Sequence, residues 1–205
     1  MLSPRRRTIR FLMGVAINSG RPLRCEFPRP TILLTTAFTP PILPAARKNC
    51  HALSDADRPL THEGIKKFHR AAEGLIRLDP TIDLIFSSPL IRARQTAEIL
   101  EQYIKAAQGF PLTILISEHF TEPADLKALL THILDICPAA RGIAAIGHEP
   151  ILSGWVAELC GQGHGSYEMK KGAVAGIELY ADISRSFSGR LFMLAQPRVL
   201  RMLAR

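Results

Sequence analysis

The feature that most constrains the fold is an alternation of short apolar runs with amphipathic helical segments. Six runs rich in aliphatic residues are predicted to form strands, at 31–37, 81–88, 112–117, 142–147, 172–180 and 189–195. After each of the first four, the sequence has the pattern of a helix, with apolar residues at three- and four-residue steps. Strands alternating with helices indicate a mostly parallel sheet that helices cover on both faces, and hence an α/β fold.

Three helix starts can be predicted from capping residues. Thr61 is expected to cap the helix that precedes the second strand, because a threonine hydroxyl can accept from a free backbone N–H of the first turn. Ser88 is expected to be the N-cap of the next helix, with Pro89 as its first helical residue. Pro150 is expected to start the helix after the fourth strand.

The distribution of charge argues against nucleic acid as a partner. The 205-residue chain has a net charge of +8, but residues 1–30 contribute +6 and residues 185–205 contribute +5. The residues between them therefore carry −3, and no stretch interleaves basic with aromatic residues. Uninterrupted apolar stretches also fall well short of the ~20 residues that a membrane-spanning helix needs. The sequence predicts neither nucleic-acid binding nor a membrane span.

The ends of the chain and the cysteines bear on location and domain organisation. Residues 1–30 are predicted to be a disordered or misassigned basic leader, and residues 31–205 a single domain. Four scattered cysteines form no CxxC pair and no metal-ligand spacing, which fits a reducing compartment, and we predict a cytoplasmic location. No metal site and no cofactor are predicted.

Candidate binding residues follow the predicted strands. In such folds ligands bind beyond the carboxyl ends of the strands, where Thr35 and Thr36, Ser88 with Arg92, and His148 all stand. A helix N-terminus favours an anion, and an arginine adds a fork that matches phosphate oxygens. We therefore predict a phosphate pocket at Arg92, Ser88 and His148. Alternatively, Arg92 is an ordinary solvated or ion-paired arginine and His148 an ordinary loop histidine.

Four segments in this order resemble the histidine phosphatase superfamily, and most closely its small SixA-type phosphohistidine phosphatase branch. These segments are "DADRPLTHEGIKK", "SSPLIRARQTAEIL", "AAIGHEPILS" and "MKKGAVAGIEL". The resemblance covers about residues 31–205. It implies a three-layer α/β/α sandwich of the phosphoglycerate mutase type. It also implies phosphate-binding roles for Arg92 and His148, and a position near the pocket for Arg58.

The sequence departs from this superfamily at the end of the first strand. Members of the superfamily have Arg-His-Gly or Arg-His-Ala there, and the histidine is the nucleophile that accepts the phosphoryl group. This chain has Thr35 where the arginine is expected and Thr36 where the histidine is expected. A threonine hydroxyl needs an adjacent base to act as a nucleophile. Glu118 and Glu122, which follow a strand, are weak candidates for a general acid.

Three hypotheses remain open at the level of sequence. The first is a phosphatase acting on phosphohistidine in a protein, or on a small phosphate ester, and impaired by the missing histidine. The second is a non-catalytic phosphate-binding or interaction protein on the same fold. The third is a frameshift or misassembled gene, since the unusual leader and the lost motif are neighbours in the sequence.

Overall fold

A computed structural model describes residues 31–37, 54–181 and 184–204, so the predicted leader lies outside the described residues. Its strands and helices follow in the order β1 (Thr31–Thr36), α1 (His62–Ile76), β2 (Leu84–Ser87), α2 (Ile91–Gln108), β3 (Thr113–Ile116), α3 (Leu126–Ile136), β4 (Gly142–Gly147), α4 (Ile151–Leu159), β5 (Val174–Ala181), β6 (Phe187–Ala195) and α5 (Pro197–Leu203). A 3₁₀ turn, Glu118–Phe120, follows β3. The predicted α/β fold is confirmed.

The strands form one sheet in the order β3-β2-β4-β1-β5-β6. The first four pair in parallel, because α1, α2 and α3 return the chain between β1, β2, β3 and β4. β5 runs antiparallel to both β1 and β6. The prediction of a mostly parallel sheet is confirmed, with antiparallel pairing confined to one side of the sheet.

Helices cover both faces of the sheet, as the apolar strands predict. Because side chains alternate along a strand, Ile32, Leu34 and Phe86 pack on the face that α3 and α4 cover. Leu33 and Ile85 pack on the opposite face, under α1, α2 and α5. Burying one such side chain contributes roughly 1.5–3 kcal/mol. The two cores therefore hold the central strands rigidly, and with them the residues at the strand ends.

The helix starts agree with the sequence in two cases and differ in one. The Thr61 hydroxyl caps α1 by accepting from the Gly64 N–H at 3.0 Å. Pro150 stands directly before the first residue of α4. The prediction that Ser88 and Pro89 open α2 was wrong, because that helix begins at Ile91. The backbone N–H of Ser88 instead donates to the Ile146 carbonyl at 2.9 Å, which continues the ladder between β2 and β4.

Candidate functional site

The carboxyl ends of three adjacent strands bring the predicted site residues to one edge of the sheet. β4 lies between β1 and β2, with Thr36 opposite Gly147 and Ser87 opposite Ile146. His148 is the next residue after β4, and Ser88 the next after β2. Parallel neighbours end at the same edge, so these side chains share one location although they are far apart in sequence.

His148 contacts Ser88 through one ring nitrogen and leaves the other without a partner. The Nε2 atom lies 3.1 Å from the Ser88 hydroxyl oxygen. The Nδ1 atom is buried and has no hydrogen-bond partner among the described residues. Burial, followed by the positive charge of Arg92, lowers the pKa of His148 to about 4, although the Asp55 carboxylate opposes the shift. The imidazole is therefore neutral at pH 7.

Arg92 lies in the first turn of α2, with only 5% of its side chain exposed. Its Nη1 donates to the Asp55 carbonyl oxygen at 2.6 Å, and its Nη2 donates to the Asp55 carboxylate at 2.8 Å. The Arg58 guanidinium lies 3.5 Å from the other oxygen of the same carboxylate. Asp55 thus pairs with both arginines, which is consistent with the position near the pocket that we predict for Arg58.

Two buried side-chain nitrogens of this site have no hydrogen-bond partner among the described residues. They are the Nε of Arg92 and the Nδ1 of His148. Buried polar atoms are normally hydrogen-bonded, because leaving one unsatisfied costs about 1–3 kcal/mol. An oxyanion would satisfy the Arg92 donor, and it would also satisfy His148 if Nδ1 carries the ring proton. The site is therefore suited to an anion with several oxygens.

The two threonines at the end of β1 are bonded to the backbone that precedes β5. The Thr36 hydroxyl donates to the Lys170 carbonyl at 2.7 Å and accepts from the Gly172 N–H at 2.9 Å. The Thr35 hydroxyl donates to the Ala173 carbonyl at 3.0 Å. Both side chains are buried. Within the described residues, these hydroxyls contact no carboxylate or imidazole that could remove a proton, so their contacts are those of structural anchors.

The two predicted general acids, Glu118 and Glu122, both follow β3. Glu118 begins the 3₁₀ turn after β3, Glu122 stands two residues beyond that turn, and both residues are exposed. Neither shares a described hydrogen bond or ion pair with Arg92 or His148. The carboxylate that does contact Arg92 belongs to Asp55, which the sequence reasoning missed. The sequence signal that could have identified Asp55 is its position three residues before Arg58, in the segment "DADRPLT".

Residues 31–37, 54–181 and 184–204 contain neither a metal site nor a membrane-spanning helix. No group of histidine, cysteine, aspartate and glutamate side chains there is placed to hold a metal ion. No helix in these ranges has both the length and the apolar character that crossing a membrane requires.

Comparison with known proteins identifies the family. The sequence model of the histidine phosphatase superfamily (branch 1) matches residues 46–122. An uncharacterized protein of Picosynechococcus sp. is 31% identical over 150 residues, which cover 71% of this chain and 87% of that protein. The chain belongs to the histidine phosphatase superfamily.

Solved structures support the fold of a histidine phosphatase. The protein histidine phosphatase SixA, complexed with tungstate, matches with a TM-score of 0.64 and 22% identity over 83% of this chain and 99% of its own. A mycobacterial glucosyl-3-phosphoglycerate phosphatase complexed with VO3 matches with a TM-score of 0.59 and 15% identity over 82% of this chain and 99% of its own. At such identities the likeness shows the fold alone.

The superfamily match covers only part of the candidate site. It spans Asp55, Arg58 and Arg92, but it begins after the two threonines of β1 and ends before His148. Membership of the histidine phosphatase superfamily therefore does not depend on the strand in which the nucleophile is expected.

Proposed function

We propose that this member of the histidine phosphatase superfamily binds phosphoryl groups at Arg92 and His148 without hydrolysing them through a phosphohistidine intermediate. The observation that carries the proposal is a pair of buried nitrogens without a described partner, which follow the carboxyl ends of β2 and β4. They are the Nε of Arg92 and the Nδ1 of His148. Among common biological anions, phosphate combines several oxygens with a geometry that an arginine fork matches.

The chemistry of Thr36 is the reason that we expect no hydrolysis. A neutral imidazole offers a lone pair near pH 7, since its ordinary pKa is about 6.5. The Thr36 hydroxyl has its proton directed at the Lys170 carbonyl and a second hydrogen bond from Gly172. Because no described base contacts this hydroxyl, activating it would first require breaking these contacts. Replacing the expected arginine by Thr35 also removes one cationic donor for the phosphoryl group.

The ligand class that we propose is a phosphorylated protein carrying phosphohistidine, or a small phosphate ester. The similarity in fold to SixA supports the former. The second candidate function is a weakly active phosphatase, which the superfamily membership favours. A third alternative, an error in the first part of the gene, is tested by resequencing codons 1–55.

Binding and turnover are measured separately. Titrate the purified chain with inorganic phosphate and with a stable phosphohistidine-analogue peptide by calorimetry, then assay hydrolysis of a phosphohistidine peptide and an aryl phosphate. We expect binding without turnover. Arg92→Gln should weaken phosphate binding by roughly tenfold or more, because a hydrogen bond to a charged group contributes ~1.5–3 kcal/mol.

The matched control is Arg94→Gln. Arg94 lies two residues further along α2 and is exposed, so its loss should change phosphate affinity less than twofold. Circular dichroism and thermal melting establish that both variants fold. Equal losses in the two variants would mean that phosphate responds only to overall charge. Absence of binding by the wild-type chain would refute the proposed function, and turnover abolished by Thr36→Ala would refute its non-catalytic part.

A further inference from the structure

Ser88 contacts His148 and is held in place by the sheet. Its backbone is held in the sheet by the hydrogen bond to Ile146, and its side chain is fully buried. The hydroxyl oxygen lies 3.1 Å from Nε2 of His148 and accepts a long bond, 3.4 Å, from the backbone N–H of Leu90. The hydroxyl and the imidazole are thus fixed relative to each other by two adjacent strands.

A neutral histidine can donate from only one ring nitrogen, so the tautomer decides what His148 offers a ligand. If Nδ1 carries the proton, Nε2 accepts from the Ser88 hydroxyl, and the Nδ1–H is the one donor of the Ser88–His148 pair without a described acceptor. If Nε2 carries the proton, it donates to Ser88, and the buried hydroxyl proton is left without a described acceptor. In that second tautomer the unpaired Nδ1 would also present a lone pair, which repels an oxyanion.

We propose that Ser88 is a positioning residue that fixes His148 in the tautomer protonated on Nδ1, and thereby turns a neutral imidazole into a donor for the bound anion. The inference rests on the proposed function for the identity of the anion, but the tautomer itself is a property of the free protein. It assigns Ser88 a role through His148 instead of a direct contact with phosphate. With Arg92 Nε, the site then offers two N–H groups to one ligand.

The experiment reads the tautomer and the affinity independently. In ¹⁵N-labelled protein at pH 7, long-range proton–nitrogen correlation spectra distinguish a protonated Nδ1 from a protonated Nε2, and His148→Asn assigns the signals. We expect a protonated Nδ1 in the wild-type chain. Ser88→Ala should shift His148 to a mixture of tautomers or to the Nε2-protonated form. It should also weaken the binding of inorganic phosphate about tenfold, because one hydrogen bond to a charged ligand is lost.

Ser87→Ala is the matched control. Ser87 is also fully buried, and its hydroxyl donates to the Ser88 carbonyl at 3.0 Å without contacting His148. Ser87→Ala therefore removes a buried hydrogen bond of similar strength. It should leave the His148 tautomer unchanged and the phosphate affinity within about threefold of the wild-type value. Ser88→Cys, which keeps a weak donor, should restore part of the Nδ1-protonated signal.

The possible failures are distinguishable. A wild-type spectrum with Nε2 protonated overturns the role of Ser88, whether or not phosphate binds. A Ser88→Ala variant that folds and keeps both the tautomer and the affinity overturns it as well. A wild-type chain with the expected tautomer but no phosphate binding contradicts the proposed function and leaves the tautomer assignment supported.

Discussion

The Asp55 carboxylate pairs with Arg92, the residue that we propose for phosphate binding. It accepts from Nη2 of Arg92 at 2.8 Å, and its other oxygen lies 3.5 Å from Arg58. A phosphate that binds Arg92 through Nε and Nη2 competes with this carboxylate for the same positive charge. Asp55→Asn removes the competing charge but keeps an oxygen that can accept from Nη2. We therefore expect Asp55→Asn to bind inorganic phosphate more tightly than the wild-type chain.

The expected change in phosphate affinity follows from how far the Arg92–Asp55 ion pair is exposed to solvent. Hydrogen bonds between charged groups contribute ~1.5–3 kcal/mol when shielded from water, whereas ion pairs open to solvent contribute ~0.2–1 kcal/mol. The Arg92 side chain is only 5% exposed, but that of Asp55 is 64% exposed. An intermediate value of about 1 kcal/mol corresponds to a Kd for phosphate that is about fivefold lower. The free energy of unfolding should fall by a similar amount.

Calorimetric titration with inorganic phosphate at pH 7 and low salt measures this change. Asp57→Asn is the control, because Asp57 belongs to the same turn and has the same charge but accepts from the Ser54 hydroxyl at 2.6 Å. It should alter phosphate affinity by less than twofold. Weaker binding by Asp55→Asn than by Asp57→Asn would refute the competition, since it would show that Asp55 orients Arg92 for the ligand.

Three other changes test the remaining parts of the site. Thr36→Val should lower the free energy of unfolding in urea by about 1–3 kcal/mol, because two side-chain hydrogen bonds worth ~0.5–1.5 kcal/mol each are lost, one to the Lys170 carbonyl and one from the Gly172 N–H; an unchanged value would contradict the anchoring role. The double substitution Thr35→Arg, Thr36→His should produce phosphatase activity and an acid-labile phosphohistidine, and a folded, phosphate-binding but inactive variant would show that another catalytic group is missing. The pKa of His148 is about 4 in the folded chain and about 6.5 in the unfolded chain. The free energy of unfolding of the wild-type chain should therefore fall by about 2–3 kcal/mol as the pH falls from 6.5 towards 4. The same loss in a His148→Asn chain would show that other groups titrate.

Much of the fold could be predicted because its signals are local. The apolar runs and the helical spacing between them depend only on neighbouring residues, and they give the alternation that a parallel sheet requires. The same local reasoning fails at Ser88. A serine before a proline has the pattern of a helix start. Here its backbone bonds to Ile146 and its side chain to His148, which are about sixty residues away and invisible to capping rules.

The candidate site likewise combines residues that local patterns predict with contacts that they do not. Arg92 and His148 could be predicted because each follows a strand, and strand ends in such a sheet meet at one edge. The ion pair between Arg92 and Asp55 joins residues 37 positions apart through a turn without regular structure. The anchoring of Thr36 by Lys170 spans 134 positions. Contacts of this kind depend on how the connecting loops fold back, and no periodic pattern in the sequence records them.

The position of each group in the sheet explains how binding and chemistry can be separated in this chain. The proposed anion donors follow β2 and β4, as Arg92 in α2 and as His148, whereas the expected nucleophile would stand on β1. Replacing residues on β1 therefore leaves the Arg92 and His148 donors in place. The threonine hydroxyls also hold the segment before β5, so restoring arginine and histidine removes their side-chain hydrogen bonds to Lys170, Gly172 and Ala173. A repaired chain should consequently regain chemistry at a cost in stability, and the two measurements should move in opposite directions.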